Sequence, residues 1–195
     1  DIQKVEYEGE WFEGKRWGRG IQYDRKGNIV FDGEWVNDEQ AETTVTITDG
    51  SGLFYNHLEV LIVSDGCCNG NEWKAFDFSL IPCLRELQVG NHCFQCVEEV
   101  RMVGMSTLEK VVIGDICFSS RGDWADNSAN NRFFLKDCER LKELKIGCES
   151  FSDYSVCEID HLPSLEVIEM GDLNTESENF YHASLALNSV FDGMT

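Results

Sequence analysis

Apolar residues recur in five similar segments between residues 58 and 170, each with the pattern L-x-x-Φ-x-Φ, where Φ is apolar. Their opening leucines are 26, 24, 33 and 24 residues apart: Leu58, Leu84, Leu108, Leu141 and Leu165. The alternation that ends each segment predicts a short strand with one buried face. Because one such repeat cannot bury its leucines alone, we expect the copies to stack as parallel strands over a shared core.

A second apolar pair precedes each later copy. The residues eight and six positions ahead of the next leucine are apolar, and we interpret them as a second strand in each repeat: Phe76, Phe78, Val100, Met102, Phe133, Leu135, Cys157 and Ile159. Two strand segments per repeat with little helix-forming sequence resemble the BspA-like leucine-rich repeats. The resemblance implies a leucine-rich-repeat solenoid with parallel stacked strands.

Aromatic and polar residues alternate around glycines in residues 1–40, which is typical of β-hairpins. Tyr7–Trp11 reads YEGEW, Phe31–Trp35 reads FDGEW, and Gly27-Asn28 suits a tight turn. The stretch resembles the MORN repeat, a family implicated in membrane lipid contact and protein assembly. The basic residues of the first repeat exceed its acidic residues by only one charge, too few for a polybasic lipid patch.

The predicted fold class is therefore mainly β, with a short MORN-like hairpin sheet in residues 1–40 that continues into a solenoid in residues 41–195. Polar and apolar residues alternate from Thr43 to Ile47, and Asp49-Gly50 and Ser51-Gly52 follow. This pattern predicts that residues 41–57 form the N-terminal edge of the solenoid. Glycines after the strands, at positions 90, 114, 147 and 171, are expected where the chain leaves each strand.

Nine cysteines and four histidines raise the possibility of zinc, and Cys93-x-x-Cys96 has the spacing of half a structural site. The repeat offers another explanation, because one position, four residues after the last apolar strand residue, holds Cys67, Cys93, Cys117, Ser150 and Asn174. We therefore expect thiols packed at stacked corners, with an aromatic ridge of Phe94, Phe118 and Phe151 beside them. No metal or cofactor is expected, and reduced thiols favour an intracellular, cytoplasmic location.

Catalytic patterns are absent from the sequence. His92 adjoins Cys93, but neighbours on a strand point to opposite faces. There is no GxSxG, Walker loop, dinucleotide fingerprint or kinase set. The sequence therefore predicts a protein that is not an enzyme.

The formal net charge of −20 disfavours nucleic acid and anionic membrane surfaces, and it favours a basic protein partner. No segment reaches the roughly 20 apolar residues of a membrane span.

The third repeat is longer than the others by nine residues, which fall in the polar tract from Ser119 to Asn131. Long insertions in repeat arrays map to loops, often on the binding face. Trp124 is a candidate partner anchor, with Arg121, Asp123 and Asp126 beside it. The alternative is that Trp124 packs on the flank of its own solenoid.

Together these patterns predict a protein-interaction or scaffold module that uses the sheet face and the 119–131 loop. Two alternatives are a targeting or regulatory segment of a larger enzyme, and a MORN-led membrane-lipid contact module. Gly193-Met194-Thr195 resembles Gly104–Thr107 before the third repeat, so we expect further repeats after Thr195, or docking of this end on another chain.

Overall fold

The computed structural model describes residues 6–49, 58–119, 131–172 and 177–188. It divides into two compact units, residues 1–43 and 44–195. The fold is mainly β with antiparallel and parallel sheets, and the helical structure of the described residues is one 3-10 turn at Phe78–Leu80. None of the helical structure in these ranges is long and apolar enough to cross a membrane.

The first unit is a four-stranded antiparallel sheet in the order β1-β2-β3-β4, with strands β1 (Tyr7–Phe12), β2 (Lys15–Tyr23), β3 (Ile29–Val36) and β4 (Glu39–Gln40). The predicted turn at Gly27-Asn28 is the end of a longer loop that begins at Asp24. The Asp24 carboxylate accepts the backbone N–H groups of Lys26 (2.7 Å) and Asn28 (2.9 Å). Gly27 has a φ of 88°, a backbone conformation that glycine adopts more readily than other residues.

Aromatic rings of the first unit lie directly on backbone. The Tyr7 ring covers Gly20, and a side chain at that position would collide with it. Trp35 is buried, packs edge-to-face on Tyr7 at 5.3 Å, and donates its indole N–H to the Gly20 carbonyl at 3.2 Å. The glycines between the aromatic residues therefore allow ring and backbone to make close contact.

The second unit contains two parallel sheets, and beyond β5 the chain visits them in turn. The six-stranded sheet has the order β14-β12-β10-β8-β6-β5, with β5 (Thr44–Ile47), β6 (Val60–Val63), β8 (Glu86–Val89), β10 (Lys110–Ile113), β12 (Glu143–Ile146) and β14 (Val167–Met170). The five-stranded sheet has the order β15-β13-β11-β9-β7, with β7 (Ala75–Asp77), β9 (Glu99–Val103), β11 (Arg132–Lys136), β13 (Val156–Asp160) and β15 (Ser184–Asn188).

Equivalent residues of the five predicted copies lie beside each other in the six-stranded sheet. One row consists of Leu61, Leu87, Val111, Leu144 and Ile168. The first four are fully buried, and the inner residues of both sheets belong to one hydrophobic cluster. The alternation that ends at Ile47 corresponds to β5, which pairs in parallel with β6 at the end of the sheet.

The last described strand, β15, keeps the register of the five-stranded sheet. Asn188 pairs with Asp160, which lies in the row of Lys136 and Val103. The expected likeness of Gly193-Met194-Thr195 to Gly104–Thr107 falls in residues 189–195, which lie outside the described ranges.

Candidate functional site

The turns that lead from the six-stranded sheet to the five-stranded sheet share one backbone geometry. In three successive turns the residues on both sides of the inward-pointing position have φ between 53° and 60°: His92 and Phe94, Ile116 and Phe118, Glu149 and Phe151. His92 was expected on a strand, and this is wrong, since it lies in a turn with φ of 59°.

The inward-pointing side chains form hydrogen bonds from one turn to the previous one. Cys93 Sγ donates to the Ser64 carbonyl (3.1 Å), Cys117 Sγ to the Gly90 carbonyl (2.9 Å) and Ser150 Oγ to the Gly114 carbonyl (2.8 Å). The predicted corner packing of these three residues is confirmed.

A fourth residue, Asn179, makes the equivalent hydrogen bond, since its Nδ2 donates to the Gly147 carbonyl at 2.6 Å. Asn174, the residue predicted at this position, lies outside the described residues. Ser150 follows its strand by four residues and Asn179 follows Met170 by nine. The extra five residues are not visible in a pattern that relies on constant spacing.

A second row of polar side chains joins the same turns. Asp65 Oδ1 accepts the Asn91 N–H (2.7 Å), Asn91 Oδ1 accepts the Asp115 N–H (2.8 Å), and Asp115 Oδ1 accepts the Cys148 N–H (2.8 Å).

These hydrogen bonds bring neighbouring turns close together and explain why glycine occupies positions 90, 114 and 147. We had expected glycine there because the chain leaves each strand and turns. None of the three has a positive φ, unlike Gly171 (70°). A Cβ at Gly114 would instead lie 2.5 Å from Asn91 Oδ1 and 2.8 Å from the Gly90 carbonyl carbon. Close approach of neighbouring turns is therefore the reason for these three glycines.

The aromatic ridge continues beyond its predicted members. Phe94 and Phe118 are stacked with ring centroids 4.9 Å apart and an interplanar angle of 7°. Phe118 and Phe151 follow at 4.7 Å and 3°, and Phe180 extends the stack from Phe151 at 4.9 Å and 5°. The predicted ridge of three rings is confirmed, and it has a fourth ring.

Three buried thiols of the second unit, Cys68, Cys138 and Cys157, are held protonated. Burial raises the pKa of Cys68 and of Cys157 to about 12, and that of Cys138 to about 11. A thiol in this state is a poor nucleophile and a poor metal ligand at neutral pH. Cys96, the second thiol of the CxxC pair, donates to the Asn69 carbonyl at 3.2 Å. In the described part of the chain, no group of three or more His, Cys, Asp or Glu side chains is placed to hold a metal.

The charge of the second unit is unevenly distributed. We call the described residues 64–73, 90–97, 114–119, 147–154, 171–172 and 177–183 the acidic turns. They contain seven acidic residues and neither Lys nor Arg: Asp65, Glu72, Asp115, Glu149, Asp153, Asp172 and Glu178. Five of the seven are exposed, so these turns present negative charge to solvent.

The outer face of the six-stranded sheet is different, because its charges pair with each other. Lys110 Nζ lies 3.3 Å from Glu86 and 3.7 Å from Glu143. Lys145 Nζ continues the row, 3.0 Å from Glu143 and 3.4 Å from Glu169. Cross-strand pairing leaves little net charge on this face.

The predicted partner-binding residues Arg121, Asp123, Trp124 and Asp126 lie outside the described residues. The two ends of their loop are described, and both are buried. Ser119 Oγ donates to the Glu149 carbonyl at 2.6 Å, and Asn131 Nδ2 donates to the Asp153 carboxylate at 3.2 Å. The loop therefore begins and ends against the acidic turns.

No family model, no curated protein and no solved structure matches this chain.

Proposed function

We propose that the chain is a non-enzymatic protein-interaction module, with MORN-like hairpins in residues 1–40 and a leucine-rich-repeat solenoid in residues 41–195. Its partner is a basic protein that docks on the acidic turns and on the 119–131 loop beside them. The observation that carries this proposal is the set of seven acidic residues, without Lys or Arg, in the described acidic turns.

The repeat assignment is supported by hydrogen bonds and ring contacts that recur with each copy. A side chain in each of four turns donates to the backbone of the turn before it, and the stacked rings lie 4.7–4.9 Å apart. This distance matches the spacing of neighbouring strands in a sheet. Such regular stacking is what a solenoid requires, because each repeat is stabilised by its neighbours.

Electrostatics favour a basic partner at the acidic turns over one at the sheet face. Glu72 and Glu149 are exposed, whereas the sheet-face charges already have partners of opposite sign. A surface of one charge sign attracts an oppositely charged partner and accelerates association. The attraction is screened over about 8 Å at physiological salt, so binding should weaken as ionic strength rises.

The proposed location is the cytoplasm. All nine cysteines are thiols, and thiols in this number are typical of reducing compartments.

A charge-reversal experiment tests the docking surface. A random 12-residue peptide library is selected for binding to the full chain, and the enriched peptides are titrated against two triple variants. Glu72→Lys/Glu149→Lys/Glu178→Lys reverses charge in the acidic turns. The control, Glu59→Lys/Glu139→Lys/Glu166→Lys, makes the same charge change elsewhere in the second unit.

We expect enriched peptides rich in Lys and Arg that bind the control triple and lose at least about tenfold in affinity with the acidic-turn triple, since each lost surface attraction is worth up to about 1 kcal/mol. Enrichment of neutral or acidic peptides, or an equal loss with both triples, contradicts the proposal.

One observation supports a second candidate function, the contact of the first unit with membrane lipid. Trp11, Phe12 and Trp17 are 58%, 57% and 42% exposed, and Phe12 and Trp17 have ring centroids 5.7 Å apart. Exposed aromatic rings are suited to the lipid interface. Flotation with phosphatidylserine vesicles at low salt, comparing the native chain with Phe12→Ser/Trp17→Ser, tests this candidate. Absence of native-chain binding eliminates it.

A further inference from the structure

Strand β1 forms one edge of the first sheet, since the order is β1-β2-β3-β4, and in the described part of the chain no strand pairs with its other edge. We propose that this edge binds an extended, basic segment of another protein, which adds to the sheet as a further strand. The surface lies within the first unit, and the proposal does not depend on the acidic turns.

The hydrogen bonds between β1 and β2 identify the groups that would bind. The Glu6 carbonyl accepts the Tyr23 N–H at 2.9 Å, so Glu6 directs its backbone groups towards β2. Orientation alternates along an antiparallel strand, so Glu8 also faces β2, whereas Tyr7 and Gly9 direct their N–H and C=O groups outward. A bulge between Gly9 and Trp11 ends this regular stretch.

Two of the residue types that block a strand edge are missing from residues 6–13. The sequence there contains no Lys and no Pro, which natural proteins place on edges to prevent pairing. The same stretch contains four acidic residues and no Arg: Glu6, Glu8, Glu10 and Glu13. An added strand would therefore meet open backbone groups in a negative environment.

The side chains of β1 define the partner's pattern. Tyr7 and Trp11 lie on one face with ring centroids 5.1 Å apart, and Trp11 is 58% exposed. Glu8 lies on the other face, where it accepts the Tyr23 hydroxyl at 3.1 Å. Because side chains alternate along a strand, a segment of alternating basic and apolar residues fits both faces at once.

Charge distinguishes this partner from a second copy of the chain. Two β1 strands paired edge to edge would bring the glutamates of one close to those of the other, and like charges on neighbouring strands are destabilising. A basic segment makes the same main-chain hydrogen bonds and gains attraction from Glu8 and Glu10 instead.

The test uses a ten-residue blocked peptide of alternating Lys and Val, added to the full chain. The protein carries Glu72→Lys/Glu149→Lys/Glu178→Lys, so the acidic turns do not compete for the peptide. Binding is followed by amide hydrogen exchange at Tyr7, Glu8 and Gly9. A peptide N-methylated at every amide keeps the charge and has no backbone N–H to donate to the ladder.

We expect the peptide to slow exchange at Tyr7 and Gly9, with Glu8 unchanged because its N–H already faces β2. The N-methylated peptide should not slow exchange. Glu10→Lys should weaken binding about fivefold, whereas Glu39→Lys on β4, at the opposite edge, should have no effect.

Equal binding of the N-methylated peptide, or binding without slower exchange at Tyr7 and Gly9, overturns the proposal. Slow exchange at these two amides without peptide, together with a dimer in size-exclusion chromatography, would assign the edge to a second copy and equally overturn it.

Discussion

The rings of Phe118 and Phe151 lie 4.7 Å apart and within 3° of parallel, although 33 residues separate them along the chain. Both are fully buried. Their separation equals the strand spacing of a sheet, so this contact follows from parallel strands in register. The stack therefore joins successive turns that lead from the six-stranded sheet to the five-stranded sheet.

Removal of one ring from this stack should destabilise the folded chain. We expect Phe118→Ala to lower the free energy of unfolding by about 3–5 kcal/mol, because it removes a buried ring between two others. Phe134→Ala is the matched control, since Phe134 lies on the outer face of the five-stranded sheet near Arg101. Its cost should be about 1 kcal/mol. Guanidinium unfolding measures both, and equal costs would contradict the importance of the stack.

The need for glycine at position 114, where neighbouring turns approach closely, can be tested by the same unfolding measurement. Gly114→Ala should cost more than about 2 kcal/mol, because the new Cβ meets Asn91 and the Gly90 backbone. Gly104→Ala introduces strain alone, since Gly104 has a φ of 69° and no atoms within 4 Å of the added Cβ. Its cost should be about 1–2 kcal/mol. A smaller cost for Gly114→Ala than for Gly104→Ala would show that the turns can separate easily.

Stability should fall in alkaline solution because of the buried thiols. The pKa of Cys138 is raised by burial from 9.0 to about 11, so the folded chain retains a proton that the unfolded chain releases. The contribution of this thiol is fully present below pH 9 and is lost as the pH rises through about 11. Unfolding measured from pH 8 to 11 should show a slope approaching about 1.4 kcal/mol per pH unit for each such thiol.

A cysteine variant separates this effect from general alkaline denaturation. Cys138→Ala should reduce the slope, whereas Leu80→Ala, at an exposed position without an ionisable group, should leave it unchanged. Identical slopes for the native chain and Cys138→Ala would refute the assignment. In the native state Cys138 should also resist alkylation at pH 8, and all nine thiols should react after denaturation.

We expect the stability of the first unit to depend on Arg16. The Arg16 guanidinium lies 3.9 Å from the centre of the Trp35 ring and donates to the Asp38 carbonyl at 2.7 Å. Arg16→Lys keeps the charge and loses the planar contact, so it should destabilise the unit by about 1–2 kcal/mol. Hydrogen exchange of the Trp35 indole N–H, which donates to Gly20, reports the loss.

Arg19→Lys is the control for this change. Arg19 pairs with Asp32 at 2.8 Å, and both side chains are about half exposed (54% and 46%). We expect an effect below about 0.5 kcal/mol. If the two substitutions have equal effects, charge alone explains the contribution of Arg16.

The sequence by itself determined the strands and their buried faces. Alternating apolar residues identified Leu61 and Leu87 as inner residues, and both are fully buried in neighbouring strands. The spacing of the copies also identified Cys93, Cys117 and Phe118 as corner residues. These features depend on local periodicity, which is present within each repeat.

Tertiary structure decided the features that depend on contact between turns. Asn179 bonds to Gly147 although it follows its strand by nine residues and not four, because strand pairing sets the register of β15, which follows it. Gly114 makes room for Asn91, a neighbour 23 residues away that no local pattern identifies. The same stacking pairs Lys110 with Glu86 and Glu143 on the sheet face, and it brings the seven acidic residues of the acidic turns to one set of neighbouring turns. Contacts across such separations form only when the strands align, so the distribution of charge over the surface is a property of the folded chain.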